Sequence, residues 1–477
     1  MVATAKKGKP NFTEGPMFWR LFAFTLPIIL TGLLQVLYGI ADNIVVGRFS
    51  GDSQALAAIG QTGSFNALIV NLFVGLSLGA AIVTAQLFGA KKERELSRAV
   101  HTAMSFSILA AVFFCALPLL VARPVLSLYV KAELLEKSLR YIYIICAGYP
   151  ALTIYNFAAA IIRSVGDSKT PLVILSLSGL MNVGLNLVFV IVFKMSIVGV
   201  ALATVISQYA AAVAAVIILI RHPNESVRYN PRTFTLDKRV LKRMLLCGVP
   251  ASLQSSIFAF SNIIVTSAVS TFPVETISGN AIASNLDSIN YTCMNAFTAS
   301  TMTFAAQNLG AKKYNRLLRT LFYSLIQVVA IGITVAQIEL LLAEPICALF
   351  VAEDTLNRTD VIAAAVTVMN SILNPHFLSG IMNALAGFLQ GVGFATGASL
   401  SAVISVITVR FIWIYVFFPM NPSSIAWLYV CYPITWLCTI LINVLMTVYI
   451  ISKIKRADRQ SQESEQNAEA SNEHTRA

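Results

Sequence analysis

Few side chains in this 477-residue chain could do chemistry in an apolar setting. Asp42 stands late in residues 24–47, FTLPIILTGLLQVLYGIADNIVVG, a stretch otherwise apolar and interrupted by Pro27. A carboxyl group in hydrocarbon is costly unless it faces a cavity or a partner, so by default it marks a functional site. Asn182 and Asn186 share a helix face at i,i+4 spacing, and Thr204, Ser207 and Gln208 follow in the next apolar run. Their oxygens can ligate a cation or tune a carboxyl group; they can equally bond one membrane helix to another. Asp287 is the best intramembrane acid later in the chain, with two roles open: pairing with a basic group, or facing a cleft. Arg410 is another costly charge, a partner either for an acid or for a substrate group. Glu339 and Glu344 fall toward the end of their apolar run and are expected to reach the interface.

These residues need elements that hold them in the bilayer, and the composition supplies them. Hydrophobic residues make up 57% of the chain and charged ones 12%, about half the charged fraction of a soluble domain. Apolar runs predict an all-α polytopic membrane protein with twelve helices near 17–47, 54–88, 95–121, 136–163, 170–192, 196–220, 240–270, 277–309, 317–343, 358–389, 397–418 and 423–452. The net charge of +12 sits mostly in short connections on one side, such as Lys91, Lys92, Arg94 and Arg98, or Lys312, Lys313, Arg316 and Arg319. That asymmetry predicts cytoplasmic termini in the plasma membrane and no nucleic-acid partner. The seven cysteines form no CxxC pair and read as small hydrophobes. Four dispersed histidines make no HExxH and no Walker loop is present, so no enzyme and no cofactor are expected, and transport by this chain would draw on an ion gradient. His376, after Pro375, reads as structural or surface-exposed. Phe258, Phe260, Tyr291 and Met294 are among the aromatic and methionine residues that could line a cleft for planar organic cations.

An internal repeat organises the chain. Ala85-Gln86 with Gly89-Ala90-Lys91-Lys92 returns as Ala306-Gln307 with Gly310-Ala311-Lys312-Lys313. Pro27 corresponds to Pro250, and Asn156 with Val165-Gly166 to Asn383 with Val392-Gly393. Six helices per copy, an even number, predict two parallel halves around a central cleft, the arrangement of alternating access. The expected divisions are a cytoplasmic tail over 1–16, a first lobe over 17–220, a linker over 221–239, a second lobe over 240–452, and a disordered polar tail over 453–477.

With these motifs in place, the chain resembles the multidrug and toxic compound extrusion (MATE) family over nearly all of residues 16–451. The carrying stretches are Pro27 with DNIVVGR at 42–48, the two GAKK copies, RSVGDSKTP at 163–171, GVALAT at 199–204 and QGVG at 390–393. The resemblance implies export of drugs and other small organic, often cationic, compounds in exchange for H+ or Na+, by a protein that is monomeric by default. It also implies that Asp42 binds the coupling cation, Na+ being the metal in that case, with Asn182, Asn186 and Thr204 as polar partners and Pro27 as the bend linked to protonation. Asn156, Gln254, Asp287 and Arg410 are secondary cleft positions. Asn186 stands where many members carry an aspartate, which leaves this site one carboxylate fewer. Gln254 and Ile257 stand near a glutamate of the NorM-like branch, which counts against carboxy-terminal sodium coupling of that type; the first site looks closer to the DinF-like branch. A lipid-linked saccharide flippase is the alternative within the wider superfamily; it needs a basic cavity, whereas nearly all Lys and Arg here map to loops.

Overall fold

The apolar runs become helices throughout, and no strand occurs among the described residues. The computed structural model describes residues 12–49, 54–128, 130–351, 353 and 357–476. Within its helices the side chains of Asn43, Gly47, Arg48, Leu56, Ala57, Ala259, Phe260 and 457–476 lie outside the description, and with them the expectation for Phe260 and part of the 42–48 motif.

In chain order the helices are α1 (Met17–Phe49), α2 (Ala55–Gly89), α3 (Glu93–Leu126), α4 (Ala132–Cys146), α5 (Tyr149–Ser164), α6 (Lys169–Leu187), α7 (Ser196–Ile220) and α8 (Lys238–Val269). They continue as α9 (Val274–Gly310), α10 (Tyr314–Leu341), α11 (Ala343–Phe350), α12 (Arg358–Leu373), α13 (His376–Gly391), α14 (Ala395–Ile412), α15 (Ile425–Tyr429) and α16 (Cys431–Arg476).

Among the described residues, ten helical stretches are long and apolar enough to cross a membrane, eleven if α4 and α5, bent by 45° at their junction, form one. The remaining expected span is α9. It has 37 residues but carries Asn280, Asn285, Asp287, Asn290 and Asn295 along its length. It packs against α1, α2, α10, α12 and α13, which bury Asn290 and half-bury Asn280 and Asp287, while Asn285 and Asn295 are exposed. The apolar span near 358–389 is broken around Asn374-Pro375, where the proline lacks a backbone donor and crowds the preceding turn.

Two spans end in a single π turn, Val188–Val192 after α6 and Trp413–Phe417 after α14. Such turns leave the regular hydrogen-bond ladder and recur at functional sites. The polar tail also departs from expectation: α16 continues to Arg476. Its Ala, Glu, Gln and Arg residues favour helix, and the preceding span supplies the nucleus that an isolated peptide lacks.

The sequence repeat is a structural one at its turns. Lys91 and Lys312 both adopt left-handed backbone (φ 55° and 56°), as do Gly166 and Gly393 (φ 100° and 88°). The copies also grip each other. Gln86 Nε2 donates to the Gly391 carbonyl at 3.0 Å, and Gln307 Nε2 donates to the Ser164 carbonyl at 2.7 Å. Ser164 and Gly391 each precede a Val-Gly turn, so each glutamine caps the other copy. Backbones meet beside this crossed pair: a Cβ on Gly89 would stand 2.0 Å from the Gln307 carbonyl oxygen, and one on Gly310 2.0 Å from that of Gln86.

The connection between α7 and α8 is tied down too. Thr235 N–H donates to Ser105 Oγ at 3.1 Å and Asp237 N–H to Thr102 Oγ1 at 3.2 Å, while Asp237 caps α8 through the amides of Arg239 and Val240. At the start of the described chain, Phe12 stacks on Phe304 at 3.9 Å, and Arg316 donates to the carbonyls of Phe12, Glu14 and Gly15.

Candidate functional site

Helix α1 carries two of the singled-out residues. Pro27 is buried, and Thr31 Oγ1 donates to its carbonyl at 2.6 Å. Proline removes one backbone donor from the ladder, a break that packing against other helices can absorb. About four turns further on, Asp42 projects toward α6 and is half-buried. Asn186, fully buried, donates Nδ2 to Asp42 Oδ1 and, at 3.2 Å, to Asn182 Oδ1. Asn182 Nδ2 in turn donates to Thr204 Oγ1 of α7 at 3.3 Å, and that hydroxyl donates to the Val200 carbonyl at 2.9 Å. Asp42, Asn182, Asn186 and Thr204 therefore form one hydrogen-bonded chain across three helices.

The chain borders a cavity of about 260 Å3 lined by Gln35, Tyr38, Asp42, Asn182, Thr204 and Gln208 among others, with Asp42 its one charged residue. Gly179 gives the room: a Cβ there would stand 1.8 Å from the Tyr38 ring. Tyr38 OH donates to the Ser176 carbonyl at 3.2 Å and joins α1 to α6 one turn before Asp42.

Fit to a metal cation is limited as the groups stand. Na+ takes oxygen ligands, as hard cations do. Here Asn186 turns its amide nitrogen to Asp42, and Asn182 turns its nitrogen to Thr204. Neither amide turns its oxygen toward Asp42. Asn186 Oδ1, buried and without a partner, is the oxygen a turned amide would offer to Na+. Among the described residues no group of three His, Cys, Asp or Glu could hold a metal.

The remaining positions do not join this chain. Asn156 is half-buried and donates to the Leu152 carbonyl of its own helix at 2.8 Å. Gln254 is half-buried on α8. Asp287 approaches His376 of α13, with Oδ1 and Nδ1 3.0 Å apart but off the line of a hydrogen bond. His376 is 1% exposed, so it is structural in placement and not at the surface. Glu339 departs from expectation. It is 7% exposed, covered by protein where it faces Asp287 and Asn290 of the polar helix α9. Glu344 is exposed, as its position implies. Arg410 meets Ser261 and Asn262 of α8 and the face of Tyr432.

Sequence reasoning missed the Tyr38–Gly179 contact and the crossed glutamines. For the glutamines a signal existed: Gln86 and Gln307 are both part of the repeat, but a polar residue in a repeat reads as scaffold until its partner is seen. Gly75 to Gly79 reads GLSLG, the letters of a hydrolase nucleophile elbow, yet the stretch lies inside α2, with Ser77 Oγ bonded to the Val74 carbonyl at 2.7 Å. The strand–turn–helix context such an elbow needs is missing there.

Fold and site together define a multi-pass helical membrane protein with a polar, carboxyl-bearing site in its first spans. The chain belongs to the MatE family of membrane transporters, whose family model matches residues 27–188 and 250–416. Among curated relatives it is 28% identical over 324 residues to "Probable multidrug resistance protein YoeA" of Bacillus subtilis, covering 66% of this chain and 68% of that protein. It is 23% identical over 416 residues to the multidrug export protein MepA of Staphylococcus aureus, covering 86% of this chain and 88% of the relative. Among solved structures, a MOP superfamily transporter from Pyrococcus furiosus shares the fold at TM-score 0.87 with 18% identity, over 94% of this chain and 99% of that one. An outward-facing multidrug resistance MATE family transporter matches equally, at TM-score 0.87 and 18% identity over the same shares of both chains.

Proposed function

We propose that this protein is a multidrug efflux transporter of the plasma membrane, exporting small organic and often cationic compounds by cation antiport. The observation that carries the reading is Asp42 in a membrane span, bordering the 260 Å3 cavity and held by Asn186, Asn182 and Thr204. The relatives named for multidrug resistance and export support the substrate class.

In this reading twelve spans form two parallel six-helix lobes around a cleft, with both termini cytoplasmic, and the protein works as a monomer. In the outward-open state Asp42 takes up a cation. The change at Asp42 is transmitted to α1, whose Pro27 break lets the helix rearrange, and the cleft loses affinity for the drug, which leaves. Coupling requires the cation and the drug to favour different states. The amide oxygens that Na+ would need are turned away from Asp42, which favours H+ as the coupling ion. The site is read as closer to the DinF-like branch, with Asn186 leaving it one carboxylate fewer than many members. A flippase fits less well, since the cavity lining carries no Lys or Arg, and Arg410 is the one Lys or Arg that is buried among the described residues.

The test is ethidium transport in inverted vesicles energised separately by a proton gradient and by a sodium gradient, for the unaltered protein and Asp42→Asn. Transport that follows the proton gradient and is lost in Asp42→Asn is expected. Unaltered transport by Asp42→Asn at equal expression would remove Asp42 from the mechanism, and sodium-driven transport would overturn the choice of ion.

A further inference from the structure

A second cavity, of about 590 Å3, opens along the first turns of α8, with Thr396 at the start of α14 on its border. It shares no residue with the cavity at Asp42. Its α8 wall follows one helix face. Lys238 and Lys242 come first, and beneath them lie Leu241, Leu245, Leu246 and Val249. From Lys238 to Pro250 the strip is roughly 18 Å long at about 1.5 Å per residue. One leaflet is about as deep, half of the roughly 40 Å that a bilayer spans with its headgroups.

The groove has a local cause. Pro250 has no N–H, so the Leu246 carbonyl one turn earlier loses its helical donor. Thr396 Oγ1 replaces that donor from α14 at 3.2 Å, and the groove lies around this bond. Elsewhere on the same turns α8 is packed tightly: a Cβ on Gly248 would stand 2.9 Å from the Leu76 carbonyl oxygen of α2. The groove face is open, with Leu246 57% and Val249 41% exposed. Since α8 is long and apolar enough to cross a membrane, the medium that meets these side chains is lipid.

The charge at the mouth selects among lipids. Lys238 and Lys242 are exposed, and among the described residues neither makes an ion pair. Asp237, the acid beside them in the chain, accepts from the Arg239 and Val240 amides as the cap of α8. Arg243 turns away to Gln86 Oε1 at 3.1 Å. Counted from Pro27 and Pro250, the matching positions of the first copy are Gly15 and Trp19, so the repeated scaffold does not require lysines here.

We propose that this groove binds an anionic phospholipid, its phosphate held between Lys238 and Lys242 and an acyl chain laid over Leu241, Leu245, Leu246 and Val249. Lysine suits both parts: its ammonium binds phosphate as a point charge, and its stem lies along apolar surface. A zwitterionic lipid carries its own cation beside the phosphate and gains less from the pair.

The experiment uses the purified full chain in detergent, with dioleoylphosphatidylglycerol as the probe and dioleoylphosphatidylcholine as its zwitterionic counterpart. Glycerol 3-phosphate is the arm without acyl chains, and bound lipid is counted by native mass spectrometry. A lysine beside an anionic lipid surface contributes roughly fivefold, so the unaltered protein should prefer phosphatidylglycerol at least about tenfold. Lys238→Gln with Lys242→Gln should abolish the preference, while Lys453→Gln with Lys455→Gln, an equal loss of charge at the end of the last span, should keep it. Val249→Trp, which fills the groove and leaves both lysines, should weaken phosphatidylglycerol binding several-fold. Equal binding of the two lipids by the unaltered protein would overturn the site, as would an unchanged preference without Lys238 and Lys242. Unchanged binding in Val249→Trp would show a charged surface with no groove behind it and refute the acyl-chain assignment. Glycerol 3-phosphate displacing the lipid at equal concentration would show a free-phosphate site and refute the lipid. Because lipid binding and not transport is read, failure of ethidium efflux would leave this result standing.

Discussion

Gln307→Ala should loosen the crossed-glutamine seam and expose it to solvent. Gln307 is fully buried, donates to the Ser164 carbonyl at 2.7 Å, and accepts from the Phe12 amide at 3.3 Å. Truncation leaves both backbone groups unpartnered while the seam is closed, at about 1–3 kcal/mol for each buried group. When the seam parts, water reaches those groups, so the parted state escapes most of the loss. Taking about 2 kcal/mol as the difference, the equilibrium moves some ~30-fold toward the parted state. Cys247 is a native reporter, half-buried on α8 against Ala81, Ile82 and Met302 beside the same seam. Its alkylation by a maleimide, resolved from the other cysteines by peptide mass spectrometry, should quicken at least about tenfold in Gln307→Ala. Cys347, fully buried in a different cluster, serves as the control and should not change. Unchanged Cys247 reactivity in a protein that melts like the unaltered one would refute the idea that this pair holds the seam. Faster labelling of Cys247 and Cys347 together would indicate general loosening instead.

Gly310→Ala should insert and fold but fail to close on the GAKK side, because its Cβ would meet the Gln86 carbonyl oxygen at 2.0 Å; ethidium efflux falling to background with fast Cys247 alkylation is the expected pair of readings. Arg316→Ala removes the bonds to the carbonyls of Phe12, Glu14 and Gly15 at 3.1 Å, so limited proteolysis should release the amino-terminal segment several times faster, at a cost near ~1 kcal/mol for bonds this exposed.

Much of this architecture was legible because membrane spans announce themselves. Hydrocarbon forces every backbone group into a helix, so apolar length alone locates α1, α2, α7 and α10. The grouping of Asp42 with Asn182, Asn186 and Thr204 came from the family resemblance, since the residues by themselves could equally bond one membrane helix to another. The harder features involve partners from distant helices. Glu339 looked interfacial from its place near the end of an apolar run, and only its neighbours on α9 explain why it is buried. His376 gave no hint of Asp287, 89 positions earlier in the chain. The π turns after Asn186 and Arg410 have no signature in hydropathy, since they shift a ladder by one residue without changing composition. The tail beyond Arg456, expected to be disordered from its polarity, runs on from α16, whose preceding span supplies a helix nucleus.

The most direct test of the central claim, that Asp42 exchanges a cation for drug, is proton release on drug binding. Purified protein in weakly buffered detergent at a pH where the site is loaded would be mixed with ethidium and followed with a pH-sensitive dye. The account predicts close to one proton released per drug bound, and none from Asp42→Asn even where that variant still binds drug. Equal release from both proteins, or drug binding without any release from the unaltered one, would contradict it.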